Sequence, residues 1–216
     1  YDNSFKFKNS VYKNKNIHTN LSGQLDFKPF FNFNIISEIK KINFENLILK
    51  SMYHFIVDDI SSNKLNGDLS IHYLTKKKNN KIHFKFNNGD IVSQNSILYF
   101  ADLNIQLNFY LRKYPTYNNL DYELLLETEN INKFFKIIGV KKNKNLKEMK
   151  AFIKGNINLN AQKYYFNKVV INNKNLEKKK LIKLKKYFDR NSTRFLNGQL
   201  KKKSSYQLIK DLIEFI

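Results

Sequence analysis

Residues 102–112 read DLNIQLNFYLR, and this alternation constrains the fold more than any other feature of the chain. Leu103, Ile105, Leu107, Phe109 and Leu111 fall on one side, with Asn104, Gln106, Asn108, Tyr110 and Arg112 on the other. Successive side chains of an extended strand point to opposite faces, so a period of two predicts a strand with one buried face. A helix would scatter the same apolar residues around its circumference.

The pattern recurs. Leu21, Leu25 and Phe27 alternate with Ser22, Gln24 and Asp26, and PFFNFNI then sets Phe31, Phe33 and Ile35 against Asn32 and Asn34. Leu69, Ile71 and Tyr73 oppose Asp68, Ser70 and His72; after the polar stretch KKKNN, Ile82, Phe84 and Phe86 oppose Lys81, His83 and Lys85. Two alternating runs joined by a short polar loop predict a hairpin. A turn around Pro115 leads into DYELLLETE. In the last such stretch Ile153, Ile157, Leu159 and Ala161 share a face, and the chain turns near Gln162-Lys163 and returns. Strands that are apolar on one face only predict a mainly β fold built on an antiparallel sheet, because parallel sheets are buried on both faces.

Helical spacing takes over in short patches at 43–55 and 130–139, the second ended by Gly139. Beyond residue 172 the lysine-rich run NKNLEKKKLIKLKKYF carries Leu181, Leu184 and Phe188 at helical spacing, and SSYQLIKDLIEFI carries a second apolar stripe after a serine cap. The expected organisation is a β domain over 1–172 followed by a basic helical segment over 173–216.

Glycine is used sparingly. Five of the six glycines precede a polar and then an aliphatic residue, as in Gly23-Gln24-Leu25, Gly67-Asp68-Leu69, Gly89-Asp90-Ile91, Gly155-Asn156-Ile157 and Gly198-Gln199-Leu200. Glycine at the head of a strand permits a turn, a bulge or close backbone approach, and its repetition suggests that one unit is reused.

The net charge of +21 comes from 39 Lys+Arg against 18 Asp+Glu. Such an excess suits a polyanionic partner such as an anionic lipid surface or nucleic acid, and it equally suits a lysine- and asparagine-rich composition bias. Interleaved lysines and aromatics in HFKFNN and QKYYFNK resemble a stacking platform for single strands, but alternation sends many of those rings to the apolar face, so no nucleic-acid partner is expected. The chain opens at Tyr1 and reads as a fragment or a processed chain. No apolar run reaches the roughly 18–20 residues of a membrane-spanning helix.

No catalytic motif is present: there is no phosphate loop, nucleophile elbow or zinc-binding H-E-x-x-H. With no cysteine, the chain has no disulfide and no thiolate ligand. A hairpin closing near Lys77-Lys78 would set His72 opposite His83, but two histidines without a carboxylate fall short of a metal site. Asp58 and Asp59 are adjacent and point apart on a strand. The expectation is a protein that is not an enzyme and needs no metal or cofactor.

The glycine-headed alternating strands and the returns that follow them, LSGQLDFKPFFNFNIISEIKKINFENLI at 21–48, YNNLDYELLLETENINKFFKIIG at 117–139 and MKAFIKGNINLNAQKYYFNKVVINN at 149–173, resemble AsmA-like bacterial envelope proteins. The resemblance implies a long antiparallel sheet curled into a groove, with an apolar interior that takes the acyl chains of phospholipid or another lipid. It also implies a periplasmic body anchored to the inner membrane through a segment not contained in this sequence. The residues that would line such a groove are Leu25, Phe27, Phe33, Leu69, Ile71, Phe84, Phe86, Leu103, Ile105, Leu107, Phe109, Ile157 and Leu159. Lys178, Lys179, Lys180, Lys183, Lys185 and Lys186 would face an anionic membrane surface. The alternative is a structural or binding β domain, either a sandwich or a piece of an outer-membrane barrel, in which a second sheet or barrel closure covers the apolar face.

Overall fold

The computed structural model describes residues 3–15, 17–42, 65–74, 78–100, 102–114, 116–133 and 147–196. They form one open, mostly antiparallel sheet in which eleven strands lie side by side in chain order. The strands are β1 (Ser4–Lys13), β2 (Ile17–Asp26), β3 (Asn32–Ile42), β4 (Asn66–Leu74), β5 (Asn79–Asn87) and β6 (Asp90–Phe100). They continue with β7 (Leu103–Lys113), β8 (Asn118–Thr128), β9 (Met149–Asn158), β10 (Lys163–Ile171) and the two-residue β11 (Lys174–Asn175). A helix, α1 (Lys178–Leu196), closes the described chain.

The strongly alternating stretches became strands, and the hairpin read through KKKNN is the β4–β5 pair. One pairing departs from the antiparallel expectation: β3 and β4 run parallel, with Phe33 opposite Gly67 and Ile35 opposite Leu69. A parallel neighbour needs a crossover of a dozen or more residues, and the chain between Ile42 and Asn66 is long enough to supply it. The helical patch read at 43–55 lies in this link, outside the described residues, as does the stripe within 204–216. Of the patch read at 130–139, residues 131–133 form a helical turn and the remainder lies outside the described residues.

β1 and β6 escape a period-two reading because each is bulged. The β1–β2 register slips between Phe7 and Ser10, and the β6–β7 register slips between Ser93 and Ser96. The slip moves the apolar set from odd to even positions, so Ile91 and Ser93 share a face with Ser96 and Leu98. Both bulges turn on an asparagine in the left-handed region, Asn9 (φ 53°) and Asn95 (φ 54°). Asparagine tolerates that conformation better than other side-chain-bearing residues. In each case its N–H donates to a side chain on the next strand: Asn9 to Ser22 Oγ at 3.0 Å and Asn95 to Asn108 Oδ1 at 2.7 Å. A third slip lies in β10, between Phe166 and Lys168.

Gly67 and Gly89 do stand at strand heads, whereas Gly23 and Gly155 lie well inside β2 and β9. Gly23, Gly67 and Gly155 share close approach: an added Cβ would fall against a backbone carbonyl oxygen of a neighbouring strand, that of Asn34, Phe33 and Tyr165 respectively. At Gly67 (φ +146°) an added Cβ would fall 2.7 Å from Phe33 Cγ, and at Gly155 it would fall 2.8 Å from the Tyr122 hydroxyl. An aromatic ring on the neighbouring strand lies over the bare backbone at both positions, so the glycine makes room for the ring that covers it.

Helix α1 packs on β10. Leu184 is only 2% exposed, and the Phe188 ring sits 5.2 Å from that of Tyr164 and 5.3 Å from that of Phe166. The spacing Leu181, Leu184, Phe188 puts these residues on one side of a 3.6-residue helix. The Asp189 carboxylate accepts the backbone N–H of Tyr164 at 2.8 Å, so the helix also caps an outward-facing donor of a strand near the edge of the sheet.

Candidate functional site

Register decides what lies together on one face. One transverse row runs Leu25, Phe33, Gly67, Phe86, Ile91, Leu111, Leu120, Ile157 and Tyr164, each opposite the next on the neighbouring strand. A second row, nearer the middle of the strands, passes through Leu107, Leu124, Ile153 and Val169. A third runs through Leu98, Ile105, Leu126 and Ala151. Because side chains alternate, all three rows share one face, and that face is apolar from β1 to β10.

Burial along this face is uneven. Phe33, Phe86, Ile91, Leu111 and Leu159 form a buried cluster at one end of the strands. Leu103, Ala151 and Thr128 are buried toward the other end, as is Ile131 in the helical turn, at 1% exposure. Between these ends Leu69, Ile71, Phe84, Ile105, Leu107, Phe109, Leu124 and Ile153 are only half-buried. Full burial of such a side chain stabilises by about 1.5–3 kcal/mol, so the strand ends account for more of the packing per residue than the middle does.

A file of rings crosses the face near the first cluster. Phe27, Phe31, Phe33, Phe86, Phe84 and Phe109 follow one another at centroid distances of 6.0, 6.2, 5.3, 6.5 and 5.9 Å. Of the residues expected to line a groove, Leu25, Phe33, Leu69, Ile71, Phe84, Phe86, Leu103, Ile105, Leu107, Phe109 and Ile157 lie within strands on this face. Leu159 sits just past β9 in the buried cluster, and Phe27 lies just past β2, largely exposed. The sequence reading missed Ile91 and Leu98, because the β6 bulge shifts their phase, and Phe5 and Phe7 of β1 for the same reason. It also missed Tyr122, Leu124 and Leu126, whose alternation in DYELLLETE is blurred by Leu125.

Two polar pairs interrupt the apolar face. Ser93 Oγ lies 2.7 Å from Ser96 Oγ, with both residues buried, and the Ser96 hydroxyl also accepts the backbone N–H of His83 at 3.2 Å. The other pair joins Thr19 and Ser37 at 2.8 Å. Both stand beside register slips, where hydroxyls satisfy groups that the ladder leaves over. Tyr122 and Tyr164 carry the face's buried phenols. Burial pushes the Tyr122 phenol well above its ordinary range, and burial followed by the Asp189 charge pushes Tyr164 up to about 12. Both are neutral at physiological pH.

The opposite face is mainly hydrophilic, with Ile36, Val92, Ile97, Leu125, Phe152 and Val170 set among its polar side chains. Lys154 meets Glu123 at 2.7 Å and Lys150 meets Glu127 at 2.7 Å across neighbouring strands. The hydrogen bond to Glu123 holds the Lys154 ammonium above its usual range. His72 does not face His83 as the sequence suggested: the register sets it opposite Lys81 and sets His83 opposite Ser70, because the hairpin closes one residue earlier than assumed. His83 Nδ1 lies 3.0 Å from Ser70 Oγ, and His83 Nε2 lies 3.2 Å from Asp68. Strand β4 is paired on both sides, so the backbone N–H groups around Ser70 are committed to the ladders.

A polar hollow of about 1080 Å³ at the strand ends is lined by Asp102, Glu127, Glu129, Glu148, Lys133 and Lys150 among others. Two ion pairs lie within it, Lys133 with Asp102 and Lys150 with Glu127. Among the described residues no three His, Cys, Asp or Glu side chains stand close enough to hold a metal.

On α1, Lys179, Lys183, Lys186 and Arg190 recur at helical spacing on the side away from Leu184, and all four are exposed. Lys178 is exposed at the helix start, and Lys180 is half-buried. Lys185 is turned inward: its ammonium meets Asp189 at 2.6 Å and lies 4.6 Å from the centre of the Tyr165 ring. No described helix is long and apolar enough to cross a membrane. No protein family, curated protein or solved structure matches the chain.

Proposed function

We propose that this chain is a non-enzymatic lipid-handling segment of AsmA-like type whose apolar sheet face shelters the acyl chains of phospholipid or a similar lipid. The observation that carries the reading is the apolar face itself, continuous across ten strands, with Leu69, Ile71, Phe84, Ile105, Leu107, Phe109, Leu124 and Ile153 only half-buried along it. A contiguous exposed apolar patch beyond a few hundred Å² ordinarily marks an interaction site. Acyl chains suit it because its polar side chains are few and mostly turned to the protein itself: Ser93 bonds Ser96, Thr19 bonds Ser37, and Asn80 bonds the backbone of Tyr73 and Tyr99. The exposed basic stripe of α1 supports a second contact, with the headgroups of an anionic leaflet, where each lysine or arginine near the surface adds about 1 kcal/mol of screened attraction. In this reading the protein works in the periplasm, held at the inner membrane by an anchor outside this sequence.

The test is mass spectrometry of lipid carried through gentle purification. The wild type is expected to retain phospholipid, and Leu107→Asp, which puts a charge in the half-buried middle of the face, is expected to lose it while circular dichroism stays that of a β protein. A wild type that carries no lipid and binds no acyl probe would sink the reading.

A further inference from the structure

We infer that the open edge of the sheet, strand β1, is a docking site for an extended strand of another polypeptide, added antiparallel, with apolar residues alternating with acidic ones.

The two edges are finished differently. Near the β10 edge, α1 lies on the strand and Asp189 takes up the outward N–H of Tyr164. At the other edge no described strand pairs with the outer side of β1. Which groups face outward there follows from two bonds. Phe27 N–H donates to the Asn3 carbonyl, and Asn14 N–H donates to the Ile17 carbonyl, each at the end of the β1–β2 ladder. Antiparallel partners alternate between bonded and non-bonded pairs, so Phe5 and Phe7, then Ser10 and Tyr12, turn their backbone groups toward β2. Lys6 and Lys8, then Val11 and Lys13, turn theirs outward.

A bulge and lysines are the usual means of discouraging edge pairing. The bulge in β1 does not act that way, because the same bulge sits in an interior strand. Asn95 of β6 repeats the conformation of Asn9 and the bond from its N–H to the next strand, and β6 is nonetheless paired with β5 on its other side, on both flanks of a register slip between Lys81 and Lys85 that lies opposite the bulge. Such a bulge therefore leaves the flanking stretches of β1 able to pair on their outer side.

The lysines select the partner. Strand β1 carries Lys6, Lys8 and Lys13 and no acidic residue. A second copy of β1 would set lysines against lysines, which opposes pairing. An acidic strand would instead repeat the cross-strand pairs that Lys154 and Lys150 make with Glu123 and Glu127 within this sheet. On the apolar side, the stacked Phe5 and Phe7 rings, with Phe5 56% exposed, would cover the partner's alternate side chains.

The experiment uses the whole chain and a labelled ten-residue peptide of alternating valine and glutamate, with the valine–lysine peptide as its counterpart. The expected result is saturable binding of the glutamate peptide that weakens with salt, with slowed hydrogen exchange at the amides of Lys6, Val11 and Lys13. Val11→Pro removes an outward donor without touching the β2 ladder and should weaken binding at least tenfold. Lys6→Glu with Lys8→Glu changes no backbone group and should reverse the preference toward the lysine peptide, so the idea remains testable even where the proline variant folds poorly. Equal binding of both peptides, full binding by Val11→Pro in a folded protein, or a dimer of the free protein that already protects these amides would each overturn the assignment. The outcome is independent of lipid binding, which neither peptide reports.

Discussion

The N-terminal and C-terminal edges of the sheet meet the same problem in different ways. On the C-terminal side, α1 presses Leu184 and Phe188 onto β10 and supplies an acceptor for a strand N–H through Asp189. On the N-terminal side, β1 stands with Val11 and Tyr12 67% and 50% exposed, its outer ladder groups facing away from the sheet. The difference teaches that an edge in this protein is closed by tertiary packing and not by strand composition. Both strands are bulged, both carry aromatics, and lysines appear in each.

The largest contrast should come from truncating one apolar side chain at each edge. Leu184→Ala leaves a cavity between α1 and β10 and should cost about 2–5 kcal/mol in denaturant unfolding. Val11→Ala removes an exposed side chain and should stay within about 0.5 kcal/mol. Equal costs would mean that β1 is covered in solution. A smaller effect is expected from Asp189→Ala, which leaves the Tyr164 N–H without its acceptor and Lys185 without its partner, at about 1–3 kcal/mol.

The last effect is a pH dependence on the covered side, absent at neutral pH. The Tyr164 phenol has its folded pKa raised to about 12 against an ordinary value of 10.0. Below pH 10 both folded and unfolded states hold the proton and the contribution is complete. Above pH 10 the unfolded chain releases it first, so stability declines as the pH rises through 12. Ultraviolet titration of the wild type against Tyr164→Phe should show a late phenol that the variant lacks. With Asp189→Asn that phenol should titrate earlier, because the carboxylate is the second cause of the shift after burial. An unchanged midpoint would show that the charge plays no part.

Legibility in the sequence tracked regularity. Strand β7 was readable residue by residue because nothing disturbs its alternation, and its five apolar residues do share a face. Only Leu103 and Leu111 at its ends are fully buried, since period two reports the face a side chain points to and not how deeply that face is covered. The helical spacing of Leu181, Leu184 and Phe188 was likewise visible before the helix was, and it identified the side that packs. The candidate site was legible wherever strands are unbroken. It was hidden at Ile91, Leu98, Phe5 and Phe7, where one extra residue moves the apolar set to the other parity.

By itself the sequence determined the class of fold and the two-faced character of the sheet, because alternation is a local property set by the geometry of an extended backbone. Tertiary structure decided the rest. The bulges at Asn9 and Asn95 depend on acceptors from the next strand, Ser22 and Asn108, which no local pattern announces. The parallel pairing of β3 with β4 depends on a partner beyond a long link, and the covering of β10 on where α1 comes to rest. Each of these is a choice among distant partners, made by the packing energy of the whole sheet and not by the conformational preference of any one segment.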